Sequence, residues 1–210
     1  MTEIYHVCSL GTTCLSSQML KDTNLKKESY PFDWIFSNLT TVQTIIKSDF
    51  SDFLNKDFMI SSGPNRAHHT IYRQNMFNHH NPKDNDDHYN YFTRCVERFR
   101  KLLQTNKNKL FVISFQNMPN SIEAIEKSKN DVLQISEYIS TQTTNYYIFA
   151  IYHIPSQTTF KIDISDIGNI KFLTLYTKSM SSGRILRDSG ENKLLHNCLL
   201  NSYLFRTEKI

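Results

Sequence analysis

The sequence is short of several things, and each shortage removes a class of explanation. Its four cysteines, Cys8, Cys14, Cys95 and Cys198, are scattered and form no CxxC pair, which argues against a disulfide framework and against a structural zinc site. No apolar run approaches the ~18 residues of a membrane span, and the N-terminal residues lack the basic, apolar and small-residue order of a signal peptide. The expectation is an intracellular, cytoplasmic protein with no membrane partner. Lysine and arginine are not gathered into runs: 24 of them face 20 Asp and Glu, a formal net charge of +4 spread along the chain, so no nucleic-acid partner is expected. There is no Walker A or GxGxxG loop to cradle a phosphate, and no cofactor is expected. Five Gly, five Pro and 39% hydrophobic residues make an ordinary globular composition rather than a disordered one. At 210 residues the chain can bury one sizeable core. A single domain over 1–210 is expected, and no internal repeat is visible.

What is present is an alternation of apolar runs and amphipathic stretches. Ile4 to Leu10 reads as a short strand, Gly11 as a tight turn, and the helix that follows carries Cys14 in its first turn, with Leu15, Met19 and Leu20 on one side. Ser37 or Asn38 can cap a helix bearing Leu39, Val42, Ile45 and Ile46, and a second short helix is expected over Asp49 to Leu54. A helix over about His88 to Leu103 sets Phe92, Cys95, Phe99, Leu102 and Leu103 on its inner stripe and Arg94, Arg98 and Lys101 on another face. Leu110 to Phe115, Tyr146 to Ile154, Phe160 to Ile164 and Ile170 to Tyr176 are strand-like, the first two continuous enough to be covered on both faces. Between those two lies a helical stretch, capped at Asn120 or Ser121, or at Asn130 or Asp131, with Ile122, Ile125, Val132, Leu133 and Ile139 as its apolar positions. A helix with Leu194, Leu195, Cys198 and Leu199 closes the chain.

This order predicts an α/β fold: a layered, mostly parallel sheet with helices on both faces. Set into it at about 60–90 is a long polar insertion, loop-rich, holding His68, His69, His79, His80 and His88, five of the eight histidines. Within it, Thr70 to Phe77 is expected to form a strand or hairpin leading to His79.

A cysteine where a strand turns into a helix is placed for chemistry. Backbone N–H groups and the positive end of the helix dipole favour thiolate, the nucleophilic form; the structural alternative is that Cys14 is a small buried hydrophobe. A nucleophilic thiol needs a base within hydrogen-bond reach and a third polar group to orient it. His79 and His80 are the candidate bases, and since neighbours in an extended segment face opposite ways, one of them is expected to reach Cys14. Asp33 is the candidate orienting group, or else a carboxylate holding the turn around it. Trp34 is expected in the core.

The block SLGTTCLSSQML, then YPFDWIFSN, then FNHH (Phe77 to His80) and YFTRCVERFRKLL (Tyr91 to Leu103) resemble the papain-like cysteine peptidase family DUF1796 over about half of the chain. The pairing of SLGxxC with PFDW is the specific part of that resemblance. It implies a thiol hydrolase with Cys14 as nucleophile and His79 as general base and acid, His80 as the alternative base, and Asp33 as third member. The substrate would be a peptide or other acyl compound, and the oxyanion would meet the backbone at the helix start, around Gly11 and Thr13. Arg94 and Arg98 are candidate contacts for an anionic substrate group. A papain fold pairs a helical half with an antiparallel, barrel-like half; the periodicity of this chain instead predicts α/β layers with the site at the C-terminal end of the first strand.

Two other readings use the same residues. A metal-dependent hydrolase would draw on His68, His69, His79, His80 and His88 with Asp84, Asp86 or Asp87, although no HExxH spacing is present. A non-catalytic α/β module would bind a glycan, nucleotide or protein through the polar segment and the Arg94/Arg98 face, leaving Cys14 inert.

Overall fold

The N-terminal apolar run divides into two strands. In the computed structural model, which describes residues 1–156 and 160–210, β1 (Glu3–Ile4) pairs in parallel with β10 (Leu204–Phe205), while β2 (His6–Ser9) enters the main sheet. That sheet runs in the order β2, β6 (Lys109–Phe115), β7 (Tyr146–Pro155), β9 (Ile170–Thr177), β8 (Lys161–Ile167). The first four strands are mutually parallel, and β8 closes the edge antiparallel to β9. With the sequence KIDISDI, β8 is charged and largely exposed, which suits an edge strand that must not recruit another. Phe160 lies just outside it.

Residues along each central strand alternate between two cores, as the period of two demands. Cys8, Phe111, Ile113, Ile148 and Phe172 pack with α2 (Leu39–Lys47), α3 (Asp86–Gln104) and α4 (Ile122–Gln142). Val7, Leu110, Val112, Phe149 and Leu173 pack on the opposite face with α1 (Leu15–Asp22) and α5 (Ser189–Leu200). The fold is therefore α/β, with five helices among the described residues covering both faces of a mostly parallel five-stranded sheet. None of these helices is long and apolar enough to cross a membrane.

Helix starts are set by side-chain caps that take up the otherwise unpaired first N–H groups. Asn38 accepts from the Thr41 N–H at 2.8 Å, Asn85 from His88 at 3.1 Å, and Ser121 from Ala124 at 3.2 Å. Because α4 runs unbroken from its Ser121 cap, Asn130 and Asp131 are interior to it, and Ile122 and Leu133 face solvent instead of the core. Asp49 to Leu54 is a run of turns rather than a helix. Asp49 and Phe50 both adopt left-handed backbone (φ 47° and 62°), which ends a right-handed helix, yet Phe50 and Phe53 are still buried.

The polar insertion is more ordered than its composition suggests. Three antiparallel strands, β3 (Met59–Gly63), β4 (Arg66–His69) and β5 (Arg73–Phe77), form a second small sheet. Only Met59, Ala67, His69, Met76 and Phe77 of these strands are buried, so most of the sheet faces water, and polar residues are what such a surface requires.

Candidate active site

The main sheet delivers Cys14 through a strained turn. After β2 the chain passes Gly11 at φ +77°, where a Cβ would lie 3.0 Å from Ser37 Oγ and 3.1 Å from the Phe32 carbonyl oxygen; only glycine fits. Thr12 follows, also left-handed at φ 72°, a costly conformation for a β-branched residue. Its hydroxyl donates to the Ser114 carbonyl at the end of β6, and its own carbonyl accepts from the Ser37 N–H at 3.3 Å. Cys14 then sits at the N-cap of α1, one residue before the first helical turn, at the C-terminal end of the parallel strands.

The second small sheet delivers the histidine. Ile35, next to PFDW, forms an antiparallel bridge with Phe77, and the Phe36 N–H donates to the Met76 carbonyl at 3.0 Å. His79 is two residues beyond that bridge. Its Nε2 lies 3.6 Å from Cys14 Sγ, and its ring meets Trp34 edge-on with centroids 6.2 Å apart. Trp34 is thus half-buried beside the histidine and is not a core residue.

Electrostatics keep both partners neutral at rest. Burial pushes the Cys14 thiol up to about 11, opposed by the nearby Arg184 guanidinium. Burial also pulls His79 below its ordinary value, and Arg184 and Arg66 pull it further down. A neutral imidazole next to a neutral thiol is an acceptor next to a donor.

Residues 5–181 match the family model described as "Putative papain-like cysteine peptidase (DUF1796)". The chain belongs to this family. A relative from Acanthamoeba polyphaga mimivirus, named "Uncharacterized protein R408", is 30% identical over 183 residues, covering 72% of this chain and 79% of its own length. No solved structure matches. The family match takes in the Cys14 turn, the PFDW segment, the small sheet and the loop as far as Ser181, on an architecture in which the sheet leading to Cys14 is mostly parallel.

The remaining predicted residues fall into place unevenly. His80 turns away from Cys14 and stacks on Tyr91, with centroids 4.7 Å apart and planes 6° from parallel. Burial, with His88 and His79 beside it, pulls it down to about 4. Asp33 is buried under the turn, where its carboxylate accepts from Lys26 Nζ at 2.5 Å and from the Tyr30 N–H at 2.8 Å. Among the described residues no hydrogen bond joins Asp33 to His79, so the structure assigns Asp33 to the turn and does not bring it to the histidine ring. The Gly11 N–H is taken up by Ser9 Oγ at 3.1 Å and is unavailable to an oxyanion. Arg98 pairs with Glu28 at 3.5 Å, whereas Arg94 is exposed elsewhere on α3.

The histidines of the insertion do not gather into one cluster, although His80 and His88 meet edge-on with ring centroids 5.1 Å apart. His68 Nδ1 accepts from the Asn75 N–H, His88 Nδ1 from the Asn81 N–H, and His69 is buried against the Asp52 carbonyl. Among the described residues, no group of three or more His, Cys, Asp or Glu side chains is arranged to hold a metal ion.

The loop after β9 also borders the site, although its sequence does not point there. Arg184 donates to Gln18 on α1 at 2.8 Å and lowers both Cys14 and His79. The loop is tied to the end of β6: the Gln116 amide reaches Thr13 Oγ1 and the Gly183 carbonyl, Ser181 Oγ donates to Gln116 Oε1, and the Ser181 N–H donates to Asn117 Oδ1 at 2.8 Å. Only the run of Ser and Gly at 179–183 marked this segment as a loop, and nothing in its spacing points back to residue 14.

Proposed function

We propose that this protein is a thiol hydrolase working by acyl transfer, with Cys14 as nucleophile and His79 as general base and acid. The observation that carries the reading is the 3.6 Å approach of Cys14 Sγ to His79 Nε2, made by two segments that are 65 residues apart and that the family match spans. With both groups neutral at rest, His79 takes the thiol proton as sulfur attacks the carbonyl carbon. A tetrahedral oxyanion forms, and the Thr13 and Cys14 N–H groups, which donate to no described residue, are its proposed partners. The imidazolium returns the proton to the leaving group as the carbon–leaving-group bond breaks. Water then attacks the thioester, again giving its proton to His79, and the Cys14 thiol is released with a carboxylic acid product.

The test is labelling by a small thiol-directed electrophile, mapped by peptide mass spectrometry in protein whose half-buried Cys198 is replaced by serine. Cys8, Cys14 and Cys95 are all buried, but modification is expected at Cys14, which has an imidazole nitrogen 3.6 Å from its sulfur to take the proton. It should vanish in Cys14→Ala, with circular dichroism unchanged, and slow in His79→Gln. Modification centred on Cys8 or Cys95, or a rate at Cys14 indifferent to His79, overturns the reading.

A further inference from the structure

Beside Trp34 lies an open cleft of about 480 Å³ whose walls carry Lys21, Lys26, Lys27, Arg98 and Lys209 with the Trp34 ring. Its one acidic lining residue, Glu28, is occupied: it pairs with Arg98 and accepts from the Ile210 N–H at 2.7 Å. Lys26 is likewise engaged, by Asp33 at 2.5 Å, and its ammonium lies 4.7 Å from the centre of the Trp34 ring. Lys21 and Lys27 form no ion pair with a described residue; Lys27 donates only to the Asn24 carbonyl. A concave surface of mainly positive charge, with an aromatic wall and few internal counter-charges, concentrates anions.

The cleft adjoins the nucleophile. Lys21, on its wall, follows Cys14 by seven residues along α1, an advance of about 10 Å; Ser17 and Gln18 between them are buried, and the surface link is Trp34, which lines the cleft and meets His79 with ring centroids 6.2 Å apart. Ser17 accepts from Lys26 Nζ at 2.7 Å, which ties α1 to the cleft wall. An extended peptide covers about 10 Å in three residues.

We propose that the cleft is a subsite for acidic peptide substrates, one that receives an Asp or Glu side chain about three residues from the bond attacked by Cys14. The proposal rests on the acyl-transfer reading for the meaning of that distance, while the binding itself does not depend on catalysis. Trp34 is the chain's single tryptophan, so its fluorescence reports on the one ring that the cleft shares with His79, and the Lys21/Lys27 variant separates the cleft's part of any change.

The experiment titrates Cys14→Ala protein with a glutamate-rich pentapeptide and follows Trp34 emission, with the glutamine-substituted peptide and inorganic tripolyphosphate as comparisons. A saturable change is expected with the acidic peptide, weaker by about tenfold in the exposed-surface double variant Lys21→Glu/Lys27→Glu, weakened by 0.5 M salt and absent with the glutamine peptide. No saturable change, an equal response to the glutamine peptide, an unaltered response in the double variant, or saturation by tripolyphosphate at concentrations where the peptide is silent each overturns the proposal. Failure here leaves electrophile labelling of Cys14 intact, whereas failure of the thiol reading shows in that labelling and not in Trp34 emission.

Discussion

Ile35 and Phe77 are paired in an isolated antiparallel bridge, and that pairing brings the segment after PFDW and the end of β5 together so that His79 reaches Cys14. Phe77 is fully buried, with its ring 4.9 Å from that of Phe92 and 5.5 Å from that of Phe53. The bridge is therefore anchored in the core, and the two histidines that follow it diverge, one toward the thiol and one onto Tyr91. His79→Gln should lower turnover on any acyl substrate by about 10²–10⁴-fold. His80→Gln should leave turnover within a few-fold and lower stability by about 1 kcal/mol through the lost stacking, read by urea unfolding. Equal losses of turnover in the two variants would contradict the assignment.

The pH profile follows from the directions of the two shifts. His79 accepts a proton only when neutral, and burial together with Arg184 and Arg66 pulls it below its ordinary value, so the acidic limb of kcat/KM should lie below about pH 6.5. Arg184→Gln removes a cation that lowers both groups. His79 then rises and the acidic limb moves toward neutrality; Cys14 also rises, and its direct reaction with iodoacetamide slows at fixed pH. An acidic limb that stays in place when Arg184 is replaced would remove it from the site's electrostatics.

Gly11→Ala tests the turn. The added methyl meets Ser37 Oγ and the Phe32 carbonyl at 3.0 and 3.1 Å, in a backbone conformation that suits glycine alone. A loss of about 1–3 kcal/mol is expected from the backbone strain. Activity should fall further than stability accounts for, since Cys14 is three residues on; a variant with wild-type stability would show that the turn can relax.

Asp33→Asn separates a structural carboxylate from a catalytic one. The change leaves the Lys26 ammonium without its buried counter-charge and should cost about 3 kcal/mol. In the fraction that remains folded, the pH dependence of Cys14 labelling should match wild type. A shifted profile at unchanged stability would place Asp33 in the histidine's service after all.

Much of this architecture could be read from the chain because the residues concerned obey a local rule. β6, β7 and β9 are apolar runs flanked by caps and turns; α3 shows its buried stripe at Phe92, Cys95, Phe99 and Leu102; Gly11 marks the turn before Cys14. Where local rules gave way, tertiary contacts decided. Asp49 and Phe50 go left-handed where their composition suits a helix, and β3 and β4 are polar because one face of their sheet is wet. The Cys14 half of the site was visible as strand, turn and helix, and His79 was visible through the family motif. Arg184 was not: it is joined to Cys14 only through Gln18 and a loop fastened to β6, and no periodicity in the sequence encodes such a contact.

The parallel sheet carries the thiol and the smaller antiparallel sheet carries the imidazole, so the pair is assembled from two scaffolds of unequal endurance. Strands buried between helix layers open only near global unfolding, whereas a largely wet three-stranded sheet exchanges its amides at lower cost. Gentle warming should therefore silence the proposed acyl transfer while the far-ultraviolet spectrum is still intact, and cooling should restore it. If activity and ellipticity were lost at one temperature, the two scaffolds would be a single cooperative unit.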